Sequence, residues 1–82
     1  MTATEIRAAV LASLAEIAPE ADLDGLDETA DLREQLDIDS FDFLNVVIGV
    51  HERTGIDVPE RDYPKLTTLA GCIDYLSTAE AA

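Results

Sequence analysis

Few side chains in this sequence could carry chemistry: three serines, one histidine and one cysteine stand among 18 Asp and Glu residues. Serine-based hydrolysis would need one of those serines beside the histidine. Ser40 and His51 fall on what reads as one helix, where the rise of 1.5 Å per residue separates their backbones by about 16 Å. They cannot share a hydrogen bond, and His51 is expected at the surface, without the neighbours that zinc or general-base chemistry requires. Asp37-Ile38-Asp39-Ser40-Phe41-Asp42 begins like a calcium-binding EF-hand loop. The pattern then fails: Phe41 stands where the fifth position supplies an oxygen, Asp42 where glycine makes the turn, and Ile48 where a bidentate glutamate closes the site. A start at Asp22 puts Arg33 in the twelfth position and fails as well. Cys72 falls on the inward stripe of the last predicted helix and reads as a buried, unreactive thiol.

Ser40 remains. A serine in the first turn of a helix commonly does no more than cap it. Three features favour a further role. The side chain sits at the positive end of the helix dipole, where backbone N–H groups favour an attached anion such as a phosphodiester. It lies in the open, where an acidic loop meets a helix. It also adjoins a stripe of Phe41, Leu44 and Ile48 that a three-helix core does not need.

The elements that position Ser40 follow from apolar spacing. Ile6, Val10, Leu14 and Ile17 form one stripe of a helix over residues 3–17, with Thr2 and Glu5 as a capping box and Pro19 ending it. From Glu20 to Leu36 the periodicity weakens, and Leu23, Leu26, Leu32 and Leu36 punctuate a long acidic loop that they pin to a core. A short helical turn within residues 27–36 is compatible with the pattern. The second helix is expected from Ser40 to Thr54, with Asp39 as N-cap and Gly55 just past its end. It carries two apolar faces: Phe43, Val46, Val47 and Val50 make a core face, and Phe41, Leu44 and Ile48 lie roughly 145° away. The second stripe is either a surface for partners or is covered, by the loop through Leu32 and Leu36 or by the turn at Tyr63. One short helical turn is expected over residues 59–63, bounded by Pro64. A last helix is expected over residues 67–77, capped by Thr67 or Thr68 and carrying Leu69, Cys72, Ile73 and Leu76 inward. Residues 77–82 read as a frayed tail. The expected fold is therefore all-α, a small bundle of three principal helices plus one short helix, with a long loop after the first helix.

Composition bounds the rest. At 82 residues the chain is a single domain, 1–82, and its formal net charge of -13 leaves too few Lys and Arg for a nucleic-acid or anionic-membrane surface. Residues 20–42 hold ten of the acids and a single base, Arg33. Leu, Ile, Val and Phe together number 23, enough to exclude disorder on composition. A single cysteine permits no internal disulfide, and no apolar run approaches the ~18 residues of a membrane span. A cytoplasmic monomer with basic protein partners is expected.

These segments together resemble the acyl carrier protein family. The resemblance rests on Asp39-Ser40-Phe41-Asp42 followed by an apolar helix, then Ile56-Asp57-Val58-Pro59, Lys65-Leu66-Thr67-Thr68-Leu69 and Ile73-Asp74-Tyr75-Leu76. It spans nearly the whole chain. It implies that Ser40 is esterified by 4′-phosphopantetheine from coenzyme A, that Asp39 flanks the attachment site, and that the arm's thiol carries acyl groups as thioesters. It also implies a non-catalytic carrier whose partners are a phosphopantetheinyl transferase and acyl-loading and acyl-processing enzymes with basic docking patches. Phe41, Asp42, Leu44, Ile48 and Glu52 are the residues expected to meet them, with the negative charges steering association. The chain departs from the family at Phe41, where Leu or Met is usual. It departs again along the second helix, which is strongly acidic in fatty-acid carriers and here bears Asn45, His51 and Arg53. An aminoacyl or peptidyl carrier, and an unmodified acidic interaction module, are the alternatives from the sequence. An acyl chain has one candidate destination, the inner face of Phe43, Val46, Val47 and Val50 with Ile6, Val10, Ile73 and Leu76, unless the two Phe residues close it.

Overall fold

Three apolar stripes meet along one axis and define the bundle. Ile6, Val10 and Leu14, fully buried, face Phe43, Val46, Val47 and Val50 of one helix and Leu69, Cys72 and Leu76 of another. The computed structural model describes residues 1–81. It contains α1 (Ala3–Ile17), α2 (Leu32–Leu36), α3 (Ser40–Thr54) and α4 (Leu69–Ala81), with 3₁₀ turns at Leu23–Gly25 and Glu60–Leu66. The chain is all-helical among the described residues, and α1 packs against both α3 and α4.

Helix ends are set by side chains. Thr2 and Glu5 form the expected capping box at α1. Gly55 ends α3 with φ 72°, a left-handed conformation that costs glycine little. The α1–α3 crossing is close because Gly49 has no side chain: a Cβ there would lie 3.2 Å from Ser13 Oγ. Arg53 spans the same crossing, donating to Ser13 Oγ and pairing with Glu16.

The acidic loop is tethered as its leucines imply. Leu32 is fully buried, and Leu23, Leu26 and Leu36 pack partly buried on the core. Asp22 caps the first 3₁₀ turn by accepting from Asp24 and Gly25 N–H. The Gln35 amide bridges the loop, donating to Asp27 and Ala30 carbonyls and accepting from Asp27 N–H. Two backbone bonds stitch the loop to the start of α4 and the turn before it: Leu32 N–H donates to Thr67 O at 2.8 Å and Ala70 N–H to Glu28 O at 2.9 Å. The short α2 lies inside the stretch where a helical turn was compatible with the pattern.

Two boundaries differ from the sequence expectation. The turn expected over 59–63 and bounded by Pro64 is instead a 3₁₀ segment, Glu60–Leu66, that contains Pro64. Proline's fixed φ fits 3₁₀ geometry, and the buried Leu66 anchors the segment beyond it. Tyr75 also holds it from α4, donating its hydroxyl to Asp62 at 2.7 Å. That bond holds the Asp62 carboxyl below its ordinary value, so its stabilisation is present at neutral pH and is lost as acid protonates Asp62. The second difference is at the end. The last helix starts at Leu69, with Thr68 Oγ1 accepting from Gly71 N–H, and runs to Ala81, past the end expected at Ser77. Residues 77–80 contain neither glycine nor proline, and Glu80 pairs with the Met1 ammonium. Ala82, in the tail expected to fray, lies outside the described residues.

Gly71 gives a test of this packing. A Cβ at residue 71 would lie 2.6 Å from Lys65 O, where α4 meets the 3₁₀ segment. Gly71→Ala gains about 1 kcal/mol of helix propensity but overpacks a backbone contact, and a net loss of roughly 1–2 kcal/mol is expected. Urea denaturation should place its midpoint below that of the parent with an unchanged slope.

Candidate functional site

The geometry around Ser40 begins one turn upstream. Asp37 ends α2 in the left-handed conformation (φ 52°, ψ 47°), which aspartate tolerates better than bulky residues. The chain thereby reverses within three residues into α3. Asp39 is the N-cap, and its carboxylate accepts from Asp42 N–H at 2.8 Å while Asp42 accepts in return from Asp39 N–H at 3.4 Å. The sequence indicates the first bond. The return bond uses aspartate where glutamate or glutamine usually closes the box, so the usual pattern does not flag it.

Ser40 is the first residue of α3 and is exposed. The amides of Asp42 and Phe43 are taken by Asp39. Among the described residues nothing bonds the Ser40 hydroxyl or the amides of Ser40 and Phe41. These unclaimed groups, at the positive end of a helix, fit a phosphodiester ester-linked to that oxygen.

Beside Ser40 opens a cleft of about 540 Å³. Phe43, Leu44, Tyr63, Pro64 and Thr67 form apolar walls, and Arg33 and Glu60 bring opposite charges to it. The inner face that is one candidate destination for a chain is buried: Ile6 and Val10 are fully buried and Leu76 is 1% exposed. Phe43 divides the two regions, with its side chain in both the core and the cleft wall. The free volume next to Ser40 thus lies between α3 and the 3₁₀ segment. Arg33, Tyr63 and Pro64 had no site role in the sequence, because only tertiary packing carries them to Ser40.

The outer stripe of α3 is uncovered. Phe41 is 69% exposed, Ile48 45% and Leu44 37%. The exposure of Phe41 and Ile48 leaves them uncovered by the loop leucines and by Tyr63, while Leu44 also lines the cleft with Tyr63. Glu52, also exposed, is one turn beyond Ile48 and extends this face. Asp42 stands about 100° around the helix from Phe41, with its carboxylate engaged in the cap.

The remaining reactive side chains are occupied elsewhere. Cys72 is buried, its thiol donates to Leu66 O, and burial pushes its pKa up to about 12. His51 Nδ1 lies 3.0 Å from Ile56 O and 3.4 Å from the Asp57 carboxylate, at the opposite end of α3 from Ser40. Among the described residues no three His, Cys, Asp or Glu side chains converge on a metal position, and no helix is long and apolar enough to cross a membrane.

Residues 8–76 match the family model described as a phosphopantetheine attachment site. The chain is 32% identical over 79 residues to an acyl carrier protein of Renibacterium salmoninarum, with 88% of this chain and 93% of that protein covered. It is similarly 32% identical over 78 residues to an acyl carrier protein of Micrococcus luteus, with the same coverage of 88% and 93%. An acyl carrier protein of Rubrobacter xylanophilus is 31% identical over 67 residues, covering 76% of this chain and 83% of its own length.

The cap separates two roles of Asp39. Asp39→Ala should cost about 1 kcal/mol of stability, whereas Asp39→Asn, an equally good cap without charge, should retain most of it. Urea denaturation of both variants measures the difference, and equal losses would show that the cap bond is not what holds this turn.

Proposed function

The chain belongs to the acyl carrier protein family, and from that premise we propose that Ser40 is the residue esterified by its 4′-phosphopantetheine. That prosthetic group supplies a terminal thiol on which acyl chains ride as thioesters. The observation that carries the assignment is the exposed, unbonded Ser40 hydroxyl at the first turn of α3, inside the segment matched to the attachment-site family. The other serines are poor candidates: Ser13 is 1% exposed and donates to Ala9 O, and Ser77 is half-buried within α4.

In this reading a phosphopantetheinyl transferase modifies the chain in trans from coenzyme A, and the chain itself performs no catalytic step. Asp39 holds the turn that presents Ser40, and Asp39 and Asp42 put negative charge beside the hydroxyl for a cationic enzyme surface to meet. Phe41, Leu44 and Ile48, with Glu52 at the end of the stripe, form the face on which partner enzymes dock. The acids of residues 20–42 steer basic partners toward it, so association rates should fall as salt rises. Apolar contact then supplies the part of the affinity that salt does not remove. The cleft lined by Phe43, Leu44, Tyr63 and Pro64 receives the first carbons of the acyl chain. The cargo serves enzymes of a lipid, polyketide or other specialised biosynthetic pathway, in the cytoplasm where coenzyme A is available.

Incubation with coenzyme A and a broad-specificity transferase should add the mass of one phosphopantetheine, and Ser40→Ala should add none. A modified Ser40→Ala variant, or an unmodified parent beside a control carrier that is loaded, would overturn the assignment. A second measurement concerns the cargo. On conversion from the holo form to a medium-chain acyl form, NMR signals of Phe43, Leu44, Tyr63 and Thr67 should move. The methyls of Ile6 and Val10 should stay in place, because the core around them is filled.

A further inference from the structure

Three of the five Lys and Arg residues of this acidic chain are paired. Arg7 pairs with Glu28, Arg53 with Glu16 and Lys65 with Asp62. Arg33 and Arg61 make no ion pair or hydrogen bond through their side chains among the described residues. Arg33 is the more unusual, since it is the single base among ten acids over residues 20–42. A shallow hollow places it beside Asp31, Glu34 and Asp37, yet its guanidinium pairs with none of them. On its other side it lines the cleft that Ser40 also lines.

Its backbone is firmly held. The Asp31 carboxylate accepts from Arg33 N–H at 2.9 Å, Arg33 O accepts from Ile38 N–H at 3.1 Å, and the preceding Leu32 is fully buried. A long, unpaired side chain on a fixed root therefore stands at the cleft. The charges nearest Ser40 in sequence are the carboxylates of Asp37, Asp39 and Asp42, and Glu60 lies across the cleft. A phosphodiester on Ser40 Oγ would be repelled from the cap side and would find one cation within its surroundings, on the cleft side. The planar guanidinium fork matches two phosphate oxygens at once.

Resting on the reading that Ser40 bears the arm, we propose that Arg33 holds the arm's phosphodiester and so sets the direction in which the arm leaves the protein. Repulsion by Asp39 and Asp42 and attraction by Arg33 act in the same sense. Together they turn the root of the arm over the cleft instead of straight out from the helix tip. A partner that draws the thiol away must replace the Arg33 contact with a cation of its own, which is one use for a basic docking patch.

The test uses isotope-labelled apo and holo protein, with intact mass confirming that Ser40 is loaded. On going from apo to holo, the Arg33 side-chain Nε–H signal should shift and exchange with water roughly two- to fivefold more slowly, as an exposed charge-assisted pair permits. The phosphorus resonance of the holo form should move in Arg33→Gln and be partly restored in Arg33→Lys, which keeps the charge without the fork. Arg61→Gln, the other unpaired cation, should leave that resonance where it is. Added salt should shrink the Arg33→Gln difference. Because the Arg33 side chain is exposed, these variants should fold as the parent does, which their amide spectra will report. Identical Arg33 signals in apo and holo protein, with a phosphorus resonance indifferent to Arg33→Gln, overturn the proposal. So does a response that emerges only when the loaded acyl group carries a carboxylate. Normal loading at Ser40 with a silent Arg33 removes this inference alone, whereas a chain that takes up no phosphopantetheine at Ser40 removes both it and the reading beneath it.

Discussion

Leu32 is the fastening on which the site depends. Its side chain is fully buried, and its amide donates to Thr67 O, a residue far along the chain just before α4. One residue thus helps convert a long acidic connection into a strap tied to the start of α4. The strap fixes α2, and α2 aims Arg33 at the cleft and delivers the chain to Asp39 in the orientation that starts α3. A flexible loop of this length would leave the start of α3 less firmly placed and would take Arg33 from the edge of the cleft. Burial of one leucine contributes about 2 kcal/mol, comparable to the whole cost of ordering one or two loop residues, so the strap also needs its hydrogen bonds.

Those hydrogen bonds explain how a chain of charge -13 remains folded. Many of its acids are structural acceptors at backbone N–H groups. Asp22, Asp31 and Asp39 each accept from the first turn of a helix, and Asp27 accepts from Thr29 N–H and hydroxyl. The Asp27 carboxyl is held below its ordinary value by the Thr29 contacts, which favour its charged form. An aspartate used this way stabilises the backbone locally while its charge still contributes to the long-range negative field. The proposed steering of partners thus draws on the same acids of residues 20–42 that hold the local structure together.

The apolar content of α3 divides in the same economical way. Its inner face closes the core with α1 and α4, and its outer face stays bare. Phe43 stands at the boundary, in contact with the core and with the cleft. The exposed stripe and the cleft therefore flank Ser40 on two sides of a single helix. In the proposed function, a group tethered to that residue would have the outer face on one side and the protein's own apolar wall on the other.

The sequence alone determined the bounds of α1 and α3, because each has a strong apolar period and a cap residue at its start, with Pro19 or Gly55 beyond its end. It also located Ser40 at a helix tip and Cys72 inside, since both follow from position within a periodic helix. The short elements were less legible. The 3₁₀ segment over Pro64 depends on contacts with Tyr75 and the buried Leu66, which local propensity does not encode, and α4 runs on to Ala81 where Glu80 also meets the amino terminus. Spacing could place Phe41, Leu44 and Ile48 on one face but could not decide whether anything covered them. Only the tertiary structure decided that they are exposed, that the inner face is buried, and that Arg33, Tyr63 and Pro64 gather beside Ser40. The reason is physical: periodicity reports which side of a helix is apolar, whereas exposure and empty space depend on the distances between elements far apart in the chain.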